Sequence, residues 1–253
     1  MKIAVSGKGG VGKTTLAATL ARLFAEDGRK VLAVDADPDA NLAGALGFPR
    51  PEDIVPLSEM RELIADRTGT EPGKYGSVFK MNPRVDDLPE TIAKDIGGLK
   101  FMVLGGVKKG GGGCICPESV MLKNLIMHLV LGRDEVVILD MEAGLEHLGR
   151  ATASGVDRLI VVVEPGRRSL DTAEAVRRLA QDLKLRNIAV VGNKVRHAQD
   201  EQFIRQGLAG FEILGFVPYS DQVVEADLTG RAVFDTAPEA VAAIRKIHRK
   251  LAA

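Results

Sequence analysis

The chain has 253 residues, 45% of them hydrophobic, and its 34 Lys+Arg balance 34 Asp+Glu. That is enough apolar material for a large buried core, and a formal charge of zero argues against a protein that coats nucleic acid or anionic membrane. Two cysteines exclude a disulfide framework, aromatics at 4% with no Trp disfavour base stacking, and the sequence offers neither a signal peptide nor a run of the roughly 20 apolar residues that spans a membrane, so a cytoplasmic protein without stable membrane association is expected.

The first predicted strand, residues 2–5, runs into Gly7-Lys8-Gly9-Gly10-Val11-Gly12-Lys13-Thr14, and a helix is predicted over 14–26. This segment fits G-x4-G-K-[ST] in its required strand-to-helix context. Its glycines let backbone N–H groups converge on phosphate oxygens, so Gly9, Gly10, Val11, Gly12, Lys13, Thr14 and Thr15 are the predicted cradle for ATP or ADP. Lys13 neutralises the outer phosphates and the Thr14 hydroxyl reaches Mg²⁺. Lys8, a second lysine just after the first glycine, is unusual for such a loop.

A strand over 30–34 is followed by Asp35-Ala36-Asp37-Pro38-Asp39. From 48 to about 98 the pattern is irregular and rich in proline, with a short helix expected at 58–66; an insertion of this length is more often functional than structureless. A strand over 100–104 leads into a glycine-rich loop, 105–117, that ends in Cys114-Ile115-Cys116-Pro117 and enters a helix over 117–131. Pro117 suits the first helical position, which puts Cys116 near the cap, where the helix dipole and free N–H groups favour a thiolate. The pair has three readings: buried structural cysteines, a redox pair, or half of a metal site. Redox helices usually carry C-x-x-C, which favours metal. Two thiolates are too few for Zn²⁺, which takes four ligands in a tetrahedron, or for Ni²⁺, which can take four in a plane. The other two ligands must come from water, a partner protein or a second copy of the chain, and a symmetric dimer would assemble four thiolates on its axis. Met102, Met121 and Met127 are expected in the core, and His128 and His147 as ordinary surface or core histidines.

An apolar strand over 135–139 ends at Asp140, the expected carboxylate for holding Mg²⁺ through water; Asp140-Met141-Glu142-Ala143-Gly144 then supplies a switch with a glycine hinge. Further strands are predicted over 158–163, 188–191 and 212–217, with helices over 170–183 and 201–208. Asn193-Lys194-Val195-Arg196 is not N-K-x-D, so adenine is favoured over guanine. A C-terminal stripe, Val241, Ile244, Ile247 and Leu251, is expected to dock on the sheet rather than on lipid. The alternation predicts an α/β fold, a doubly wound and mainly parallel sheet flanked by helices, in one P-loop domain over 1–253.

The form K-G-G-V-G-K-T-T resembles the deviant phosphate loop of the MinD, ParA and nitrogenase iron-protein family. That resemblance implies a nucleotide-dependent homodimer in which Lys8 reaches the partner's nucleotide. It also implies that Asp37 helps position the attacking water, that Asn193 hydrogen-bonds adenine, and that Val217 and Pro218 pack on the base. Within the family, the glycine-led Cys114-Ile115-Cys116-Pro117 and the run from Asp140 to Arg150, D-M-E-A-G-L-E-H-L-G-R, resemble CooC-type accessory ATPases. This implies a metallochaperone of slow turnover that binds Ni²⁺ or Zn²⁺ through the paired cysteines and assists nickel insertion into carbon monoxide dehydrogenase or acetyl-CoA synthase. An iron–sulfur carrier or reductase of the nitrogenase iron-protein kind, or a MinD- or ParA-like positioning ATPase, are the alternatives.

Overall fold

The structure is a computed structural model that describes residues 1–71, 78–106, 116–131, 135–142 and 155–252. Cys114, the glycines at 110–113, His147 and the predicted hinge at Gly144 lie outside the described residues. In chain order the elements are β1 (Lys2–Gly7), α1 (Lys13–Glu26), β2 (Val31–Asp35), α2 (Leu42–Ala45), α3 (Arg61–Thr68), α4 (Leu88–Thr91), β3 (Lys94–Ile96), β4 (Leu99–Val103) and α5 (Pro117–Leu131). They continue with β5 (Val136–Asp140), β6 (Arg158–Val163), α6 (Arg167–Asp182), β7 (Ile188–Val195), α7 (Ala198–Gly207), β8 (Glu212–Pro218), α8 (Asp221–Leu228), α9 (Val233–Thr236) and α10 (Pro238–Ala252).

Among the described residues eight strands form one sheet in the order β3-β4-β2-β5-β1-β6-β7-β8. All pairings are parallel except β3 with β4. The chain leaves β1 towards one edge through β2 and β4, returns to β5, and then builds the other half from β6 to β8. The reversal lies at β1, so the phosphate loop opens where an open α/β sheet leaves a crevice beyond its strand ends. The predicted doubly wound, mainly parallel sheet is what the structure has.

Side chains alternate between two buried cores. Ile3 and Val5 face one with Leu16, Leu20 and Ile244, whereas Ala4, Leu32 and Val34 face the other with Leu125, Leu129 and Val176. Strands buried on both faces read as continuous apolar runs, which is why their positions were legible. The C-terminal stripe docks as expected: Val241, Ile244, Ile247 and Leu251 are buried, and a Cβ on Gly215 of β8 would come within 2.9 Å of Ile247. No described helix is long and apolar enough to cross a membrane.

Two details differ from expectation. The predicted helix at 58–66 is split at Met60 (φ −77°, ψ 66°) into a 3-10 turn, Leu57–Glu59, and α3. The edge strand β3 was not foreseen. Lys94 and Asp95 are exposed and polar, and the hairpin depends on Gly97 and Gly98, both at positive φ (57° and 88°), as a two-residue turn that matches strand twist requires. The 48–98 insertion covers α5: Leu57, Ile64 and Leu88 share its core cluster, and Arg67 holds Asp87 with two bonds of 2.8 and 2.7 Å.

Candidate nucleotide and thiol site

The phosphate loop needs backbone that only glycine adopts readily. Gly10 and Gly12 lie at φ 77° and 94°, and a Cβ on Gly12 would overlap the Asn193 side-chain nitrogen. α1 begins immediately afterwards, with Leu16 N–H donating to the Gly12 carbonyl at 3.1 Å, so its free N–H groups face the loop. Lys13 is buried, and its Nζ lies 3.8 Å from Asp37 Oδ2. Thr14 and Thr15 are half-buried on the first turn, and Lys8 is half-buried on the loop.

The neighbouring strand ends are tied together at one level. Ala36 N–H donates to the Asp140 carbonyl at 2.8 Å, Leu104 N–H to the Asp35 carbonyl at 2.8 Å, and Met141 N–H to the Val5 carbonyl at 3.0 Å. Asp35 then shapes the segment after β2. Its two carboxylate oxygens accept the N–H groups of Asp37 (3.1 Å) and Leu42 (2.8 Å), and Asp37 Oδ1 accepts the Asp39 N–H at 3.0 Å. Burial pushes the Asp35 carboxyl up to about 6, against the lowering effect of those N–H donors. Sequence reasoning assigned Asp35 no role; the structure makes it the organiser of the Asp37 loop.

Asp140 is different. It is fully buried, and neither carboxylate oxygen has a hydrogen-bond partner. Burial pushes it up to about 7. The nearby Thr14 hydroxyl and Lys13 ammonium oppose that rise, and the charges of Asp35 and Asp37 add to it. A buried carboxylate without a hydrogen-bond partner beside Thr14 is stabilised by positive charge, and the pair fits a hydrated Mg²⁺.

Asn193 and the Val217-Pro218 pair come from adjacent strands and end on the same sheet edge as the phosphate loop. Asn193 Nδ2 donates to the Val11 carbonyl at 2.7 Å; because that carbonyl only accepts, the amide orientation is fixed and Oδ1 is left as an acceptor. Lys194 was considered in the sequence only as part of a missing N-K-x-D. In the structure its Nζ donates to the Gly10 carbonyl at 2.6 Å and pairs with Glu164 Oε2 at 3.2 Å.

Cys116 is half-buried and caps α5. Its Sγ accepts the Ser119 N–H at 3.4 Å, while Ser119 Oγ accepts the Cys116 N–H at 3.2 Å, a reciprocal pair of the capping-box kind. On the other side of the glycine-rich loop, a Cβ on Gly105 would overlap Ser58, and one on Gly106 would sit 3.0 Å from Pro38 Cβ. The loop therefore departs from beside the Asp37-Pro38 segment. Among the described residues no group of three or more His, Cys, Asp or Glu is placed to hold a metal. Met102 and Met121 lie in the core, as expected.

Residues 2–233 match the family model described as the CobQ/CobB/MinD/ParA nucleotide binding domain. An uncharacterised ATP-binding protein of Methanocaldococcus jannaschii is 50% identical over 236 residues, covering 92% of this chain and 91% of that protein. The carbon monoxide dehydrogenase accessory protein CooC of Rhodospirillum rubrum is 44% identical over 255 residues, covering 100% of this chain and 95% of that protein. Among solved structures, the septum site-determining protein MinD complexed with Mg-ADP from Pyrococcus horikoshii superposes with a TM-score of 0.68 at 20% identity, over 99% of this chain and 95% of that one. With a phosphate loop, a buried cation-seeking carboxylate and this similarity along its length, the chain belongs to the CobQ/CobB/MinD/ParA nucleotide-binding family and is an ATPase of the CooC type.

Proposed function

We propose that this ATPase is a metallochaperone for carbon monoxide dehydrogenase or, as second client, acetyl-CoA synthase. Its cargo is Ni²⁺ or Zn²⁺, held by Cys114 and Cys116 from each of two copies. The observation that carries the reading is the 44% identity to CooC across the whole chain. The position of Cys116 adds to it: its Sγ accepts the Ser119 N–H at the start of α5, which presents a sulfur of the kind a soft or borderline ion takes as ligand.

The chemistry divides among the residues at the sheet edge. ATP phosphates occupy the cradle of Gly9, Gly10, Val11, Gly12, Lys13, Thr14 and Thr15. Lys13 exchanges its contact with Asp37 for the phosphates, because a triphosphate outweighs one carboxylate. Thr14 and Asp140 would hold Mg²⁺, which supplies neutralisation of phosphate charge when bound; the unpartnered oxygens of Asp140 fit that role. Asp37, released from Lys13, orients the attacking water. Lys8 of each copy stabilises the phosphoryl charge on the other, so that hydrolysis requires the dimer and turnover is slow. Asn193 offers Oδ1 to the exocyclic amino group of adenine, with Val217 and Pro218 against the ring.

The test is titration of the reduced protein with Ni²⁺ or Zn²⁺, with and without ATP, while light scattering reads the mass. One ion per dimer, bound more tightly with ATP and lost in Cys114→Ser, is expected. Full-strength binding by a monomer, or anaerobic purification with a stoichiometric brown iron–sulfur chromophore, would overturn it.

A further inference from the structure

β7 and β8 lose register between Gly192 and Val195, and within that irregularity Lys194 takes a left-handed conformation, φ 57°, unusual for a side chain of its size. Bulges re-aim side chains, often beside functional sites. Here the two residues released from regular pairing both turn to the phosphate loop, more than 180 residues away in sequence. Asn193 Nδ2 binds the Val11 carbonyl at 2.7 Å, and Lys194 Nζ binds the Gly10 carbonyl at 2.6 Å. Glu164, at the end of β6, steers the Lys194 ammonium at 3.2 Å, and its own N–H is held by Ser169 Oγ at 3.0 Å. The approach is tight, since Gly12 has no room for a Cβ against Asn193.

A trans peptide is planar, with its C=O and N–H pointing in opposite directions. Fixing the carbonyls of Gly10 and Val11 from outside the loop therefore fixes the directions of the Val11 and Gly12 N–H groups. Within the loop the buried Val11 side chain anchors position rather than peptide direction, and Val11 N–H reaches the Lys8 carbonyl only at 3.4 Å. Glycines at positive φ leave such a loop many alternatives, and an external clamp removes them before the ligand arrives.

We propose that Lys194, oriented by Glu164 and acting beside Asn193, is a positioning residue that holds the phosphate loop in its binding shape. It touches no phosphate; it acts through two peptide planes. Phosphate affinity is accordingly set in part by a cation on β7, two strands away from β1, which leads into the phosphate loop.

The test uses the full chain with Lys194→Met, which keeps the stem and deletes the donor. Calorimetry with ADP reads affinity, and hydrogen exchange of the nucleotide-free protein reads residues 7–14. A charge-assisted bond at a half-exposed site predicts a roughly three- to tenfold weaker ADP complex. Exchange should rise in the loop and nowhere else, and Lys194→Arg should recover most of both. Glu164→Gln, which only loosens the ammonium, should move both readouts the same way by less, and it decides the matter if the Met variant does not fold. Wild-type affinity with unchanged loop exchange would overturn the proposal. So would exchange raised across the whole sheet, the mark of a merely structural residue.

Discussion

The unpartnered Asp140 carboxylate gives a pH dependence whose sign is opposite to that of an ordinary paired aspartate, and Asp140→Asn tests it. Asp140 titrates near 7 in the fold and near 3.8 when unfolded. The native state therefore holds the extra proton between those values. Its contribution is fullest below 3.8, falls as pH rises, and is constant above 7. Converting that interval gives a cost of about 4 kcal/mol at pH 8 and a little under 2 kcal/mol at pH 5. An asparagine removes this cost but buries amide donors with no partner, a penalty of about 1–3 kcal/mol. Without nucleotide or divalent ion, the variant should be more stable than wild type at pH 8 by about 1–3 kcal/mol, several degrees in Tm for a chain of this size. The difference should shrink by about 2–3 kcal/mol at pH 5 and vanish or reverse. Differential scanning fluorimetry in chelator across pH 5–8.5 reads the crossover. Asp35, raised to about 6 by burial, slopes both proteins in the same direction, and the part of the difference that comes from its charge acting on Asp140 has the same sign. A gap that stays constant over this range would refute the assignment of Asp140 as an unsatisfied charge. Under Mg-ATP the ordering should invert, with the wild type gaining stability and the variant losing hydrolysis.

Gly12→Ala must strain a φ of 94° and displace Asn193, so ADP affinity by calorimetry should fall at least tenfold while the sheet's circular dichroism is kept. Lys8→Ala should bind nucleotide as a monomer but lose ATP-driven dimerisation and turnover; light scattering and phosphate release check it, and normal turnover would defeat the in-trans role. Cys116→Ser should retain the α5 cap through its hydroxyl and lose the ion, whereas Cys116→Ala should lose both, with about 1 kcal/mol of stability, read by metal titration and thermal melts.

What could be read from the sequence was local. The phosphate loop is a contiguous segment whose glycines announce their conformation, and strands covered on both faces declare themselves as unbroken apolar runs. Asp140 could be placed at a strand end, but its isolation could not be foreseen, because it depends on which groups three separate loops bring nearby. Asp35 looked like the first letter of a D-x-D motif and proved to hold that motif's backbone. Lys194 was invisible as a functional residue: its role depends on a register slip between two strands and a contact with a loop at the other end of the chain. The edge hairpin at β3 left only Gly97-Gly98 as a signal, because its strand is exposed and charged.

On the reading proposed above, nucleotide and thiols should communicate through Pro38, which Gly106 meets at the start of the segment leading to the cysteines. Lys13 and Asp37 are paired at 3.8 Å, and Pro38 follows Asp37 directly. The Asp37 backbone is held by a single carboxylate, Asp35, whose own charge is unfavourably buried, so this segment is anchored firmly at one end and lightly at the other. Gly106 faces Pro38 with no space for even a methyl group at ordinary contact distance, and Gly105 is wedged against Ser58. When phosphate takes Lys13 from Asp37, any displacement of Pro38 must be met by the first residues of the segment leading to the cysteines, since close-packed groups cannot absorb it in empty space. Glycine at 105 and 106 permits this approach. A larger residue at 106 would part the two loops, and metal affinity should then cease to depend on ATP while each site keeps its own ligands.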